Sequence, residues 1–151
     1  MNERAPLPRR APAHVLACGA FLKNRAGRLD GEHFAWSALH GDLGEADACR
    51  ALDASAAALL AGGPVDVIAH DLHPDFHSTR VAVALAARLG VPALAVQHHH
   101  AHIAAVIAEQ GLAQPVIGIA LDGVGLGTDG TAWGGEVLWV GGGEAAHRWQ
   151  R

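Results

Sequence analysis

Three short apolar runs, VDVIA at 65–69, PALAV at 92–96 and VIGIAL at 116–121, each follow a stretch of helical character. That alternation is the strongest constraint on the fold. Short buried strands separated by helices close into a partly parallel sheet with helices packed on it. The first helix is expected over residues 46–60, rich in Ala and Leu and ended by Gly62-Gly63-Pro64. The second runs from Ser78, a reasonable N-cap, to residue 89, with Gly90 as C-cap. The third spans about 99–110 and stops at Gly111. Outside this frame, HVLACGA at 14–20 reads as a buried strand. Residues 29–39, where Phe34 and Trp36 alternate with smaller residues, read as a second. A Gly-rich turn over 122–130 leads into a returning strand at 132–140. Residues 1–13, broken by Pro6, Pro8 and Pro12, read as a tail or linker. The stretch 141–151 carries no expected core element. The fold class is α/β, a mixed sheet with flanking helices.

Composition narrows the function. A chain of 151 residues, half of them apolar, suits one globular domain or a large part of one. A formal net charge of −4 is not the basic footprint of a nucleic-acid binder. Two cysteines, Cys18 and Cys49, make neither a disulfide framework nor a four-thiolate zinc site, which points to a reducing compartment. The N-terminus is charged and Pro-rich with no apolar core, unlike a signal peptide. No apolar run reaches the roughly 18 residues of a membrane helix. A cytoplasmic protein with no membrane partner is the expectation.

Histidine is the unusual ingredient: there are 11, four of them within Gln97-His98-His99-His100-Ala101-His102. His98 and His102 are four apart, so on a helix both imidazoles lie on one face and can converge on one ion. Imidazole suits zinc, iron and related metals. The pair sits where PALAV hands over to a helix, the kind of strand end at which α/β sheets bind ligands. A third ligand is needed, commonly a carboxylate. Asp122 is the candidate, because it ends VIGIAL. With that strand parallel to PALAV, both would share one sheet edge. Asp122 equally starts an Asp-Gly turn, and the two roles are compatible.

Two further segments carry polar chemistry. In Asp122-Gly123-Val124-Gly125-Leu126-Gly127, glycines permit close backbone approach, and exposed N–H groups can cradle an anion. The segment lacks the helix that follows a P-loop or dinucleotide fingerprint. His70-Asp71-Leu72-His73-Pro74-Asp75 follows another apolar strand. Its Asp71 and His73 could bind substrate or relay protons, or merely shape a surface loop. Arg80, early in the second helix, could reach an anion.

Taken in order, Leu22-Lys23-Asn24, Gly41-Asp42-Leu43, Ala69-His70-Asp71-Leu72-His73-Pro74-Asp75, Ser78-Thr79-Arg80, Val96-Gln97-His98-His99-His100-Ala101-His102, and Leu121-Asp122-Gly123 through Trp133-Gly134-Gly135-Glu136 resemble the HypF family of carbamoyltransferases. The resemblance covers about residues 14–140 and is specific as a combination. It implies an ASKHA-like fold, of the actin and sugar-kinase type. Its first subdomain would occupy 14–113, the opening hairpin of its second 114–140, and a truncated tail 141–151. It implies iron or zinc on His98 and His102, with Asp122 near a metal-ligand Asp of related antibiotic O-carbamoyltransferases. It implies carbamoyl-adenylate or ATP as the bound nucleotide, with Lys23, Arg80, Gly123, Gly125 and Gly127 as its contacts. His100 stands where the related tRNA-modifying enzyme has Glu, so His100 joins Asp71 and His73 as the candidate catalytic groups. The implied partner is a HypE-like acceptor, whose C-terminal cysteine receives the carbamoyl group during nickel-iron hydrogenase maturation.

The chain also departs from that pattern. Phe21 stands where the family has Glu, and no acylphosphatase, zinc-finger or YrdC-like domain is present. A partial chain, working with the missing HypF domains or the second half of the domain, is therefore expected. The alternatives are a non-catalytic metal- or protein-binding fragment and an O-carbamoyltransferase of small molecules. The acidic charge and the HHHAH motif speak against tRNA as substrate.

Overall fold

A computed structural model describes residues 3–7 and 10–151; positions 1, 2, 8 and 9 of the expected tail lie outside it. The chain divides into two compact units, residues 1–95 and 96–151.

The first unit holds β1 (Glu3–Pro6), β2 (Val15–Ala17), β3 (Gly27–Asp30), β4 (His33–Trp36), α1 (Ala46–Leu60), β5 (Val67–Asp71), α2 (His77–Leu89) and β6 (Ala93–Val96). The sheet order is β1-β4-β3-β2-β5-β6. Its β1-β4-β3-β2 part is antiparallel, and β2 joins β5 in parallel. Helix α1 buries Ala48, Leu52, Ala56 and Leu59, spaced for one face of a 3.6-residue period. These side chains share one core with Leu16 and Cys18 of the β2 region, Ile68 of β5, and Ala82 and Ala86 of α2. Gly90 ends α2 in the left-handed conformation, φ 69°.

The structure departs from the sequence reading in three places here. Residues 3–6 form an edge strand on β4 rather than a tail. The expected strand over 29–39 is the hairpin β3–β4, turned at Gly31 with φ 61°. Ser78 does not cap α2, whose N-cap is Phe76. Instead Ser78 is buried inside the first turn and donates to the Ala20 carbonyl at 2.7 Å, satisfying the loop after β2.

The second unit holds α3 (His98–Glu109), β7 (Val116–Ala120), β8 (Gly125–Leu126), β9 (Ala132–Trp133), β10 (Glu136–Val140), a 3-10 turn (Gly143–Ala145) and β11 (Trp149–Gln150). Strands β7, β10 and β11 form an antiparallel sheet in the order β11-β10-β7. The closing residues thus contribute a strand, with Trp149 packed against the core, where no element was expected. Between β7 and β10, β8 and β9 pair as a small separate hairpin, so the expected single strand at 132–140 is interrupted. Ile103 and Ile107 of α3 pack with Ala120, Leu138 and Val140 on one sheet face. Gly118 makes that approach possible: a Cβ there would lie 2.5 to 2.6 Å from three side-chain atoms of Ile103. Among the described residues no helix is long and apolar enough to cross a membrane.

Candidate metal centre

Gln97 starts the site. It stands in extended conformation before α3, and its side-chain oxygen accepts from the His100 N–H at 2.9 Å, a true N-cap. Helical spacing then puts His98 and His102 on one face. At the end of β7 the chain turns at Asp122, whose Oδ1 accepts from the Gly123 N–H at 2.8 Å. The other oxygen, Oδ2, lies 2.7 Å from His98 Nε2 and 3.5 Å from His102 Nε2. The two Nε2 atoms are 3.2 Å apart.

These three side chains form a group in which one ligand atom from each lies within 4.8 Å of the others. The donor set fits a divalent ion. Two ligands about 2.0–2.1 Å from a tetrahedral zinc are roughly 3.3 Å apart, close to the spacing seen. Two imidazoles and one carboxylate also leave coordination positions open, as catalytic sites require. Burial works to raise the Asp122 carboxyl, but the Gly123 N–H and the nearby His98 and His102 outweigh it and hold it below the usual carboxylate range. His98 and Asp122 are half-buried and His102 is more exposed, so the cluster is open on the His102 side. From His102 and Asp122 a largely apolar groove of about 500 Å³ runs between α3 and β7 past Ile103, Val106 and Leu112.

The sequence placed His98 and Asp122 at two strand ends of one sheet. The structure brings them together differently. β6 and β7 belong to different sheets, and β7 pairs antiparallel with β10. The meeting comes from α3 lying over β7, with the ligands at the start of one element and just past the end of the other.

The other candidates stand elsewhere. His100 faces away from the cluster: its Nε2 donates to the Ala146 carbonyl at 2.7 Å and its ring stacks on Trp149 at 5.4 Å. Asp71, His73, Lys23 and Arg80 belong to the first unit. Asp71 is buried, and its Oδ1 accepts from the His73 N–H at 2.8 Å. The His73 ring stacks on Phe76 at 4.3 Å, and Phe76 on Phe21 at 5.2 Å. Phe21 therefore has a packing role at the position where a Glu was expected. Lys23 is exposed on a turn with φ 48°, an uncommon conformation for a residue with a side chain. Arg80 is exposed on α2.

The three glycines of the loop differ. Nothing lies within 4 Å of a Cβ placed on Gly123, so that face is open. On Gly125 a Cβ would lie 2.8 Å from His99 Cε1 and 2.9 Å from His98 Cβ, and the Gly127 side is filled by the Trp133 indole. Trp133 in turn donates to Asp129 Oδ1 at 3.0 Å, which also accepts from Thr131. Sequence reasoning missed Gln97, His99 and Trp133 as parts of the site. A Gln between a strand and a His-rich helix start is the available signal.

Two family models match the chain: the HypF Kae1-like domain over residues 10–109, and the second subdomain of the carbamoyltransferase Kae1-like domain over 118–151. A carbamoyltransferase HypF homolog of Cupriavidus necator is 67% identical over 130 residues, covering 85% of this chain and 33% of its own length. HypF2 of the same organism is 55% identical over 139 residues, covering 91% of this chain and 17% of its own. Among solved structures, full-length HypF in its phosphate- and nucleotide-bound form superposes with TM-score 0.80 at 38% identity, and T. kodakarensis HypF with 0.81 at 43%. Each of those two matches covers 91% of this chain and 18% of the solved one. The chain thus spans about a third of one of these relatives and under a fifth of the others.

Proposed function

This chain belongs to the HypF carbamoyltransferase family, and from that membership we propose that it carries the metal-holding part of a carbamoyl-transfer site. His98, His102 and Asp122 would hold iron or zinc. The reaction would move a carbamoyl group from carbamoyl-adenylate to the C-terminal cysteine of a HypE-like acceptor, in the cytoplasm, during nickel-iron hydrogenase maturation. The single observation that carries this reading is the convergence of two imidazoles and a carboxylate oxygen on one point. A solved relative with phosphate and nucleotide bound supports the nucleotide half of it.

A bound ion would supply Lewis acidity toward phosphate or carbamoyl oxygens. The remaining work falls to the chain. The acceptor sulfur attacks the carbamoyl carbon, the carbon–oxygen bond to the adenylate phosphate breaks, AMP departs, and the thiol proton passes to a base. Of the groups expected to handle that proton, His100 has its Nε2 engaged with the Ala146 carbonyl, and Asp71 and His73 stand in the first unit. Lys23 and Arg80 are proposed to meet the anionic nucleotide. Gly123, with its open face, would allow close approach, while Gly125 and Gly127 keep the loop compact. Subdomains of 14–113 and 114–140 are proposed as the working division, completed by the HypF domains or half-domain that lie beyond this chain's match to its relatives.

Equilibrium dialysis of the 151-residue chain against zinc or anaerobic iron(II) tests the first step. One bound ion per chain, lost in His98→Ala, His102→Ala or Asp122→Ala, is the expected result. No binding, or binding indifferent to all three changes, would overturn it. Carbamoyl transfer in a full-length relative carrying the same two His→Ala changes tests the second step, and undiminished transfer would refute the catalytic role.

A further inference from the structure

We propose that Gln97, His99 and Gly125 form a positioning device that clamps the loop after β7 onto the first turn of α3, and so sets Asp122 against His98 and His102. The inference rests on the metal reading of that triad and adds residues that touch no ion.

The hydrogen bonds of Gln97 admit one arrangement. The His100 N–H can only donate, so it fixes Gln97 Oε1 as acceptor at 2.9 Å. The Leu126 carbonyl can only accept, so it fixes Nε2 as donor at 3.2 Å. The second Nε2 hydrogen points to His99 Nδ1 at 2.9 Å. Gln97 is 4% exposed, so water does not substitute for these partners. One carboxamide therefore caps α3, holds the loop carbonyl four residues past Asp122, and orients a buried ring.

His99 follows from that. Its Nδ1 must accept, which puts its proton on Nε2. That atom is buried and has no partner among the described residues, and the ring is fully buried. An apolar side chain would fill the same space without an orphaned donor. What it would not do is accept the second Gln97 hydrogen. The histidine is explained by Gln97 rather than by packing.

Gly125 completes the clamp. With no Cβ, the loop backbone settles on the His99 ring and on His98 Cβ. Any side chain there lifts the loop, and Asp122 lies three residues upstream. These three are positioning residues: they offer the ion no ligand atom, and their effect reaches it chiefly through the setting of Asp122 against the first turn of α3.

That dependence gives the test. Cobalt(II) affinity and visible spectrum are measured for the full chain, Gln97→Met, Asp122→Asn and the double variant. Gln97→Met keeps length and loses all three hydrogen bonds. It is expected to weaken cobalt binding by about tenfold to a hundredfold, the range for groups that orient metal ligands. Adding Asp122→Asn to it is expected to cost less than a third of what Asp122→Asn costs alone. Gly125→Ala serves as the second clamp variant, with the same expected non-additivity, should Gln97→Met fail to fold. Unchanged affinity, or multiplicative losses in the double variants, would sink the clamp while leaving the metal reading intact. A parent chain that binds no cobalt, or a His98→Ala variant that binds as well as the parent, would remove the metal reading and the clamp with it.

Discussion

The contact between Gly118 and Ile103 sets how closely α3 lies on β7, and it can be perturbed from both sides. Gly118→Ala places a methyl 2.5 to 2.6 Å from three side-chain atoms of Ile103, which is itself 7% exposed. Those atoms belong to a branched side chain, so no single terminal rotation clears them, and either Ile103 changes rotamer or the helix moves out. Overpacking of this kind costs about 1–3 kcal/mol. The loss of glycine's freedom in the unfolded chain returns about 0.5–1 kcal/mol. The expected net destabilisation is about 1–2 kcal/mol. Ile103→Ala alone empties the other side of the contact at about 3 kcal/mol. In the double variant the new methyl occupies part of that space, so its total cost is expected to fall about 2 kcal/mol short of the sum. Urea unfolding followed by tryptophan fluorescence reads this. In a Trp36→Phe background the reporters are Trp133, Trp139 and Trp149, all in the second unit. Costs that add within about 0.5 kcal/mol, or a neutral Gly118→Ala, would refute the reasoning. Because His102 adjoins Ile103, Gly118→Ala is also expected to weaken cobalt binding, and Ile103→Ala to restore part of it.

Two predictions concern the first unit. Arg28 is buried, and its guanidinium donates to the carbonyls of Leu59, Gly63 and Pro64 at 3.2, 2.8 and 3.0 Å, closing the C-terminal end of α1. Arg28→Met is expected to lower unfolding free energy by about 2–4 kcal/mol, with Arg28→Lys recovering less than half; a loss under about 0.5 kcal/mol in chemical denaturation would be the contrary result. Burial pushes the Cys18 thiol from 9.0 up to about 12. A folded pKa above the unfolded one gives stability that is intact below pH 9 and drains away as pH rises toward 12. At pH 10 the loss from this thiol is about 1.4 kcal/mol. The melting temperature of Cys18→Ala is therefore expected to fall less between pH 8 and 10 than that of the parent, and parallel declines would contradict it.

What the sequence disclosed follows the physics of each signal. Helix α1 was readable from Ala46 to about Leu60 because the stretch is rich in Ala and Leu and a Gly-Gly-Pro stop follows. The hairpin β3–β4 carried its own signal in Asp30-Gly31, a turn dipeptide that the alternation of Phe34 and Trp36 overshadowed. Strand β1 was unreadable in principle: an edge strand with exposed Arg4 and Ala5 is held by backbone bonds to β4, which leave no apolar pattern. Ser78 looks like a cap to any local rule, and only the Ala20 carbonyl, 58 residues away, explains where its hydroxyl goes. At the site, the shared face of His98 and His102 is a local property of spacing. The approach of Asp122 is not, because it depends on α3 lying over β7 rather than on one sheet edge.

The glycine loop shows the same division at finer grain. Read locally, its glycines advertise free N–H groups for an anion. In the fold, the Gly123 N–H already donates to Asp122 Oδ1 at 2.8 Å, and the Gly127 N–H to the Thr131 carbonyl at 2.8 Å. Gly125 and Gly127 are small because His98, His99 and Trp133 occupy the space that side chains would take. Glycine serves close packing at Gly125 and Gly127, and only at Gly123 is the side-chain face open. The same turn splits the work of the Asp122 carboxylate: Oδ1 is spent on holding the turn, which leaves Oδ2 aimed at the imidazoles. A carboxylate tied down at one oxygen is an oriented ligand at the other. The ordinary Asp-Gly turn and the proposed ligand role are therefore one arrangement, since the turn supplies the orientation that an ion would require.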